Sequence, residues 1–359
     1  MKLKTVIILL CVCAALGAAA FFITRPQPTG DGSASLGQKL LPGLPIHEIT
    51  AITIAGPDEE VQLKLKTDTW AVASRFDYPA DFQKIARLVQ QLRDMKIGRT
   101  FEADADVTER LALNPPGTDG VSPDRVATRI TLQNAQGSPL VDLLLGKSSP
   151  TTDTQFVLPV GKTQVYLVDQ SFQFLSKTAA EWLDARLLEI AAERIHEVIG
   201  RDPKTGDARY RLRRPAEGQP AELVAAPRER QVRQAKVDEV FDALSDFDID
   251  DVADPNAPAP ADSDLLIEYR LFDGSLYTLA VGPALPQNPE ACYLRVQTAY
   301  QAPAAVGEDA PASDPKTEIR ELNQRLSTWV YVIPQWRRDS FVGDLQGFLE
   351  PPATGEGKS

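Results

Sequence analysis

Two stretches of this chain read as the same β-hairpin, and that recurrence limits the fold more than any other feature. Residues Arg129–Gly146 and Leu266–Gly282 each hold two β-rich flanks around a short turn and close on glycine. The turns are Ala135-Gln136-Gly137-Ser138 and Phe272-Asp273-Gly274-Ser275, and such spacing predicts antiparallel pairs. Upstream of each hairpin lies an amphipathic helix pattern. Phe82, Ile85, Leu88, Val89, Leu92 and Met95 form one apolar stripe, and Val237, Val240, Phe241, Leu244 and Phe247 form the other. Ile46-His47-Glu48-Ile49 returns as Ile195-His196-Glu197-Val198, which puts the two histidines of the chain in matching places. Downstream, Gln155–Leu158 answers Cys292–Val296. Val165–Asp169, leading to Phe172 and Leu175, answers Val330–Pro334, leading to Trp336 and Phe341.

Each copy therefore reads as strands, helix, β-meander and short helix. A half-buried strand needs cover on one face, and the helix supplies it. The expected class is α+β: an N-terminal transmembrane helix followed by two repeated units, each a mostly antiparallel sheet with a covering helix. The boundaries are 1–25 for an anchor, 26–45 for a flexible Pro/Gly stalk, 46–190 and 191–350 for the two units, and 351–359 for a disordered tail. The Pro/Ala/Asp tracts Asp254–Asp262 and Gln301–Pro315 read as surface loops inserted in the second unit.

The start of the chain sets the compartment. Thr5–Ile23 is 19 residues without a charge, about 28 Å as a helix and close to the thickness of a bilayer's hydrocarbon. Ala18–Ala20 offers a signal-peptidase site, with cleavage after Ala20. Phe21-Phe22-Ile23 prolongs the run past that site and favours an uncleaved anchor. Cys11 and Cys13 follow Leu10 and Val12, not the small residue that a lipoprotein signal needs. Lys2 and Lys4 precede the span and only Arg25 closely follows it, so the positive-inside rule places the N-terminus in the cytoplasm. The expected location is the inner membrane, single-pass, with the bulk of the chain periplasmic or otherwise extracytoplasmic. Removing those three residues from the 38 basic ones leaves 35 against all 50 acidic residues. So acidic a body is a poor holder of nucleic acid. Cys292 is the only cysteine beyond the span, so no disulfide framework supports the fold, and a small strand residue is its expected role.

Motifs with chemistry fail on spacing. His47-Glu48 and His196-Glu197 lack the second histidine of a zinc-protease helix, since Ala51 and Gly200 stand there. Gly146-Lys147-Ser148 lacks the upstream glycine of a phosphate loop, because that position is Val141, and reads as a turn after the hairpin. Asp246–Asp254 matches a calcium loop at its first, third and fifth positions. Asp251 stands where glycine is needed and Ala257 where glutamate is needed, and the repeat makes the segment a strand with Ile249 inward. Trp70, Trp182, Trp329 and Trp336 have apolar or helical surroundings and read as core. No catalytic, cofactor or metal site is assigned.

The short basic start, the apolar span, the stalk and the duplicated unit form a familiar order. With Ile52-Thr53-Ile54, Trp70, the Ala80–Met95 helix, Gly146 and Val165–Val168, the chain resembles the bacterial family called domain of unknown function 4340. The resemblance extends over most of the chain after residue 45, and the Pro/Ala insertions depart from it. Members of that family are often encoded beside ABC-type transporter components related to gliding-motility exporters. The resemblance implies an auxiliary extracytoplasmic subunit, with transporter subunits as partners, and transfers no functional residue. The expected function is thus a non-enzymatic binding or scaffolding protein. The alternatives are a carboxylate-dependent envelope hydrolase and a glycan- or peptidoglycan-binding module.

Overall fold

The computed structural model describes residues 36–149, 151–255, 263–302 and 315–351. Lys2, Lys4, Arg25 and Ala20, most of the two Pro/Ala tracts, and all of the tail but Pro351 lie outside the described residues. Among the described residues no helix is long and apolar enough to cross a membrane.

The chain is α+β and is dominated by antiparallel sheet. Its first half runs β1 (Ala51–Ala55), β2 (Glu60–Lys66), β3 (Thr69–Val72), β4 (Tyr78–Pro79), α1 (Phe82–Asp94), β5 (Ile97–Glu102), α2 (Ala105–Arg110), β6 (Thr128–Gln133), β7 (Pro139–Ser149), β8 (Thr154–Pro159) and β9 (Gln164–Val168). These strands form one nine-stranded sheet in the order β4-β3-β2-β1-β6-β7-β8-β9-β5. The second half runs β10 (Arg186–Leu188), β11 (Ile195–Arg201), β12 (Ala208–Arg213), β13 (Glu222–Leu223), α3 (Gln234–Asp242), β14 (Phe247–Asp248), β15 (Asp251–Ala253), β16 (Leu265–Leu271), β17 (Ser275–Leu285), β18 (Asn288–Tyr300), α4 (Pro315–Ser327), β19 (Val330–Pro334) and α5 (Gln335–Asp339). Its sheet has eight strands in the order β13-β12-β11-β16-β17-β18-β19-β15.

Both expected hairpins form, as β6–β7 and β16–β17. Gly137 and Gly274 sit at φ 75° and 90° in their turns, a region that side chains disfavour. The strands alternate as the pattern requires. In β6, Thr128, Ile130 and Leu132 are buried while the residues between them are not. Helix α1 starts where the Asp81 carboxylate accepts the backbone N–H groups of Gln83 and Lys84. It buries Ile85, Leu88, Val89 and Leu92, whereas Phe82 in its first turn stays 62% exposed, outside the expected stripe. Helix α3 buries Val237, Val240 and Phe241, and Leu244 and Phe247 continue the apolar run beyond its end.

Four segments depart from the expected pattern. Residues 103–127 fold over the far face of the first sheet. Leu113 and Ala127 there pack with Leu144, Leu158 and Val165 in a second, smaller core. After β9 no helix forms until the 3₁₀ turn Ala179–Trp182. Pro315, the last residue of the second Pro/Ala tract, opens α4, which packs on β18. Thr298 donates its hydroxyl to the Ile319 carbonyl, and its N–H goes to Asn323 Oδ1. Residues 37–41, assigned by composition to the stalk, run along Met95–Ile97. Gly37 N–H donates to the Ile97 carbonyl (2.7 Å) and Leu40 N–H to that of Met95 (3.1 Å).

The two sheets share one continuous core. The segment between them binds both. Asp81 N–H donates to the Trp182 carbonyl and Asp184 N–H to that of Pro79, which extends the β4 edge. Two residues on, β10 pairs with β14. Tyr78 of the first half packs edge-on against Trp329 (5.0 Å) and Tyr331 (6.3 Å) of the second. Arg75 reaches Asp251 at 2.9 Å.

Gly146 lies inside β7, not in a turn, because residues 111–113 cross directly above it. A Cβ there would collide with the Leu111 carbonyl oxygen and the Leu113 side chain. Gly146→Ala is therefore expected to cost roughly 1–3 kcal/mol and to loosen the 103–127 cover. Urea denaturation should show a lower midpoint, and limited proteolysis should show faster cleavage between residues 103 and 127.

Candidate functional site

The residues singled out by motif do not converge. His47 lies exposed in the 3₁₀ turn Ile46–Glu48, whereas His196 is part of β11. There the Nδ1 of His196 is 2.9 Å from the Arg214 carbonyl and its ring lies 4.8 Å from Phe272. The shared Ile-His-Glu string thus occupies two different backbone conformations. Three of the Asp246–Asp254 carboxylates pair with two arginines. Asp246 and Asp248 hold Arg186 at 2.7 and 2.5 Å, and Asp251 holds Arg75. Among the described residues no three metal-ligating side chains gather. Cys292 is buried and donates its thiol to Gln335 Oε1 at 2.9 Å, and burial pushes that thiol up. Trp182 is core, but Trp336 is 65% exposed. It stands against the Arg337 guanidinium (4.7 Å) beside an open groove of about 710 Å³ that Asp238, Glu239, Asp242 and Asp246 also line. Two acids are pushed toward the neutral form: Asp184 by burial and then by Asp81, and Asp250 mainly by burial.

The densest polar constellation lies on the second sheet, on the face turned away from the helices. Strand register assembles it in three rows. One row runs Glu222, Arg213, Glu197, Arg270 and Leu276. The next runs Arg211, Ile199, Glu268, Thr278 and Gln297, and the third runs Arg201, Leu266, Ala280 and Arg295. Side chains on one face recur every second residue, so Ala208–Arg213 puts Arg211 and Arg213 on this face and Tyr210 and Leu212 in the core. Glu197 and Glu268 are only 5% and 8% exposed. Glu268 receives Arg201 at 2.8 Å and Arg270 at 2.5 Å, and Glu197 receives Arg211 at 3.3 Å and Arg270 at 3.5 Å. Burial pushes the Glu268 carboxyl up, but the hydrogen bonds from Arg201 and Arg270 outweigh it and hold the group below its ordinary value. Ile199 is fully buried on this face. Arg213 and Arg295 are exposed and make no ion pair among the described residues.

Five arginines (201, 211, 213, 270 and 295) against Glu197, Glu222 and Glu268 leave this face net positive, in a chain of net charge −12. The first sheet wears the 103–127 cover on its far face. The described residues place nothing comparable over the arginines. Motif scanning passes over these residues, because an ion-pair lattice across strands has no sequence spacing of its own. The available signal is the arginine alternation in Ala208–Arg213, which a strand turns into a one-sided charge row.

The family model for a domain of unknown function (DUF4340) matches residues 70–265, more than half of the chain. The chain belongs to this family. The matched span begins in β3 and ends at the first residue of β16, so it holds the whole connector between the sheets and is narrower than the resemblance suggested. No curated protein and no solved structure matches the chain.

Arg270 bridges both buried glutamates, so Arg270→Met leaves each short of a partner. The expected loss at pH 7 is about 2–3 kcal/mol, kept modest because the guanidinium is partly exposed and Arg201 and Arg211 remain. A carboxyl held low contributes stability that is present above its unfolded value of 4.5 and lost as pH falls through the lower folded value. The gap between wild type and variant in urea melts should therefore narrow on going from pH 7 to pH 3.

Proposed function

We propose that the chain is a single-pass, membrane-anchored extracytoplasmic accessory protein, a non-enzymatic scaffold that works beside an ABC-type transporter. Its body is two copies of one α+β unit. Lys2 and Lys4 stay in the cytoplasm, Thr5–Ile23 spans the membrane, and residues after Arg25 lie outside. The observation that carries the reading is the single core that joins both sheets. A scaffold must hold its surfaces in fixed relation, and one core without a loose linker does so. The strand orders support the duplication: β2-β1-β6-β7-β8-β9-β5 runs position by position against β12-β11-β16-β17-β18-β19-β15. The two Pro/Ala tracts then belong to connections that the first unit makes differently. Affinity purification of the tagged chain from native membranes should recover transporter subunits in constant ratio. Recovery of the chain alone, batch after batch, would sink the proposal.

A second reading, a glycan-binding module, is favoured by one observation. Trp336 stands exposed beside a groove edged with carboxylates and serines, the chemistry that stacks on a sugar ring and accepts its hydroxyls. On that reading, soluble peptidoglycan fragments change the tryptophan emission of the full chain saturably, and Trp336→Ala removes the change. Emission that stays flat up to millimolar fragment excludes it.

A further inference from the structure

We infer that the arginine face of the second sheet rests on the phosphate plane of the membrane that anchors the chain and orients the body against anionic lipid. The inference rests on the tethered reading proposed above. Three observations carry it.

The first is local charge inversion. Beyond Arg25 the chain carries 35 basic residues against 50 acidic ones, so an anionic lipid surface repels most of the body. On the β12-β11-β16-β17-β18 face the balance reverses. Arg213 and Arg295 stand exposed and unpaired among the described residues, and Arg211 is half exposed while paired with Glu197. A guanidinium carries five N–H donors in a planar fork, so even the paired arginines keep donors for phosphate oxygens.

The second is rigidity. Glu197 and Glu268 are buried between the arginines and hold Arg201, Arg211 and Arg270, and all five cations stand on strands in rows set by register, not on loops. The centre of the face consists of Glu197, Ile199, Glu268, Arg270 and Thr278. The core of a protein–protein interface is enriched in aromatic anchors and arginine and depleted in glutamate. This centre has the arginine but holds two glutamates and no aromatic anchor, which fits lipid headgroups better than a protein partner.

The third is reach. The twelve residues from Arg25 to Gly37 span at most about 40 Å when extended. A body of this size has a radius of gyration of roughly 20 Å. A separation within that limit leaves room for either sheet to face the bilayer, and electrostatics then selects between faces. The attraction acts over a Debye length, about 10 Å at 0.1 M salt, so it is salt-sensitive.

The test is arginine footprinting of the full chain in vesicles of phosphatidylcholine alone or with 30% phosphatidylglycerol. Phenylglyoxal modification is read by mass spectrometry. At low salt, Arg213 and Arg295 should be modified at least threefold more slowly in the phosphatidylglycerol vesicles. The difference should vanish in 0.5 M salt and in the Arg211→Glu/Arg213→Glu variant, read at Arg295. Arg99 and Arg110 on the first half should not respond. Equal modification in both lipids overturns the inference, as does protection that tracks protein density in both lipids, which assigns the face to a second copy. Alkaline carbonate extraction of the same vesicles separates the two proposals. Release of the chain refutes the anchor, whereas a retained chain with unprotected arginines refutes only the face.

Discussion

The hydrogen-bonded segment between the two sheets is the constraint on which the rest of the structure depends. An amphipathic sheet needs cover for its apolar face, and the first half of this chain brings only one main helix to the task, the second half α3 and α4. The connector joins them. Ala80 pairs with Leu183, and the carbonyl of Trp182 takes the N–H of Asp81, the residue that also caps α1. The same segment then becomes β10 and pairs with β14, while Ile190 N–H reaches the Leu244 carbonyl. Tyr78, Trp329 and Tyr331 close the seam with aromatic edges. Two partial cores thereby become one, and water is kept from the edge of both.

The far faces of the sheets solve a single problem in two ways. In the first sheet, Leu144, Leu158 and Val165 point outward, and a long connection folds back to bury them. Gly146 is the local cost of that fold-back, since nothing larger fits beneath Leu111. In the second sheet the corresponding surface is polar, and ion pairs between neighbouring strands satisfy Glu197 and Glu268 with no cover among the described residues. Gly200 makes a close approach on the opposite face. Its missing side chain admits the ring of Tyr210, its partner on β12, which packs on Phe348.

Much of the secondary structure was legible. The hairpins followed from alternation and glycine turns, and both amphipathic helices from their stripes. Ile249 is buried as its likeness to Ile97 suggested, but the expected strand breaks there: β14 and β15 flank Ile249 and Asp250 and join different sheets. Where the reading failed, short-range pattern had stood in for three-dimensional neighbours. Phe82 fits the helical stripe but lies in the first turn, beyond the edge of the sheet that α1 covers. Trp336 closely follows the apolar run Val330–Pro334, yet α5 turns it outward. Helix α4 begins at a proline that composition assigned to a loop, although proline is well suited to a first helical turn. The paired Ile-His-Glu strings match in letters and differ in backbone, because four residues hold too little information to set register.

By itself the amino-acid order determined the α+β class, the antiparallel hairpins and the helix faces. Each of these depends on periodicity, which operates between residues a few positions apart. Tertiary structure alone decided that the two sheets share a core, that residues 103–127 cover one of them, and that arginines from four strands line up with two buried glutamates. Those outcomes join residues up to about 250 positions apart through strand register and seam packing, and no local pattern encodes them.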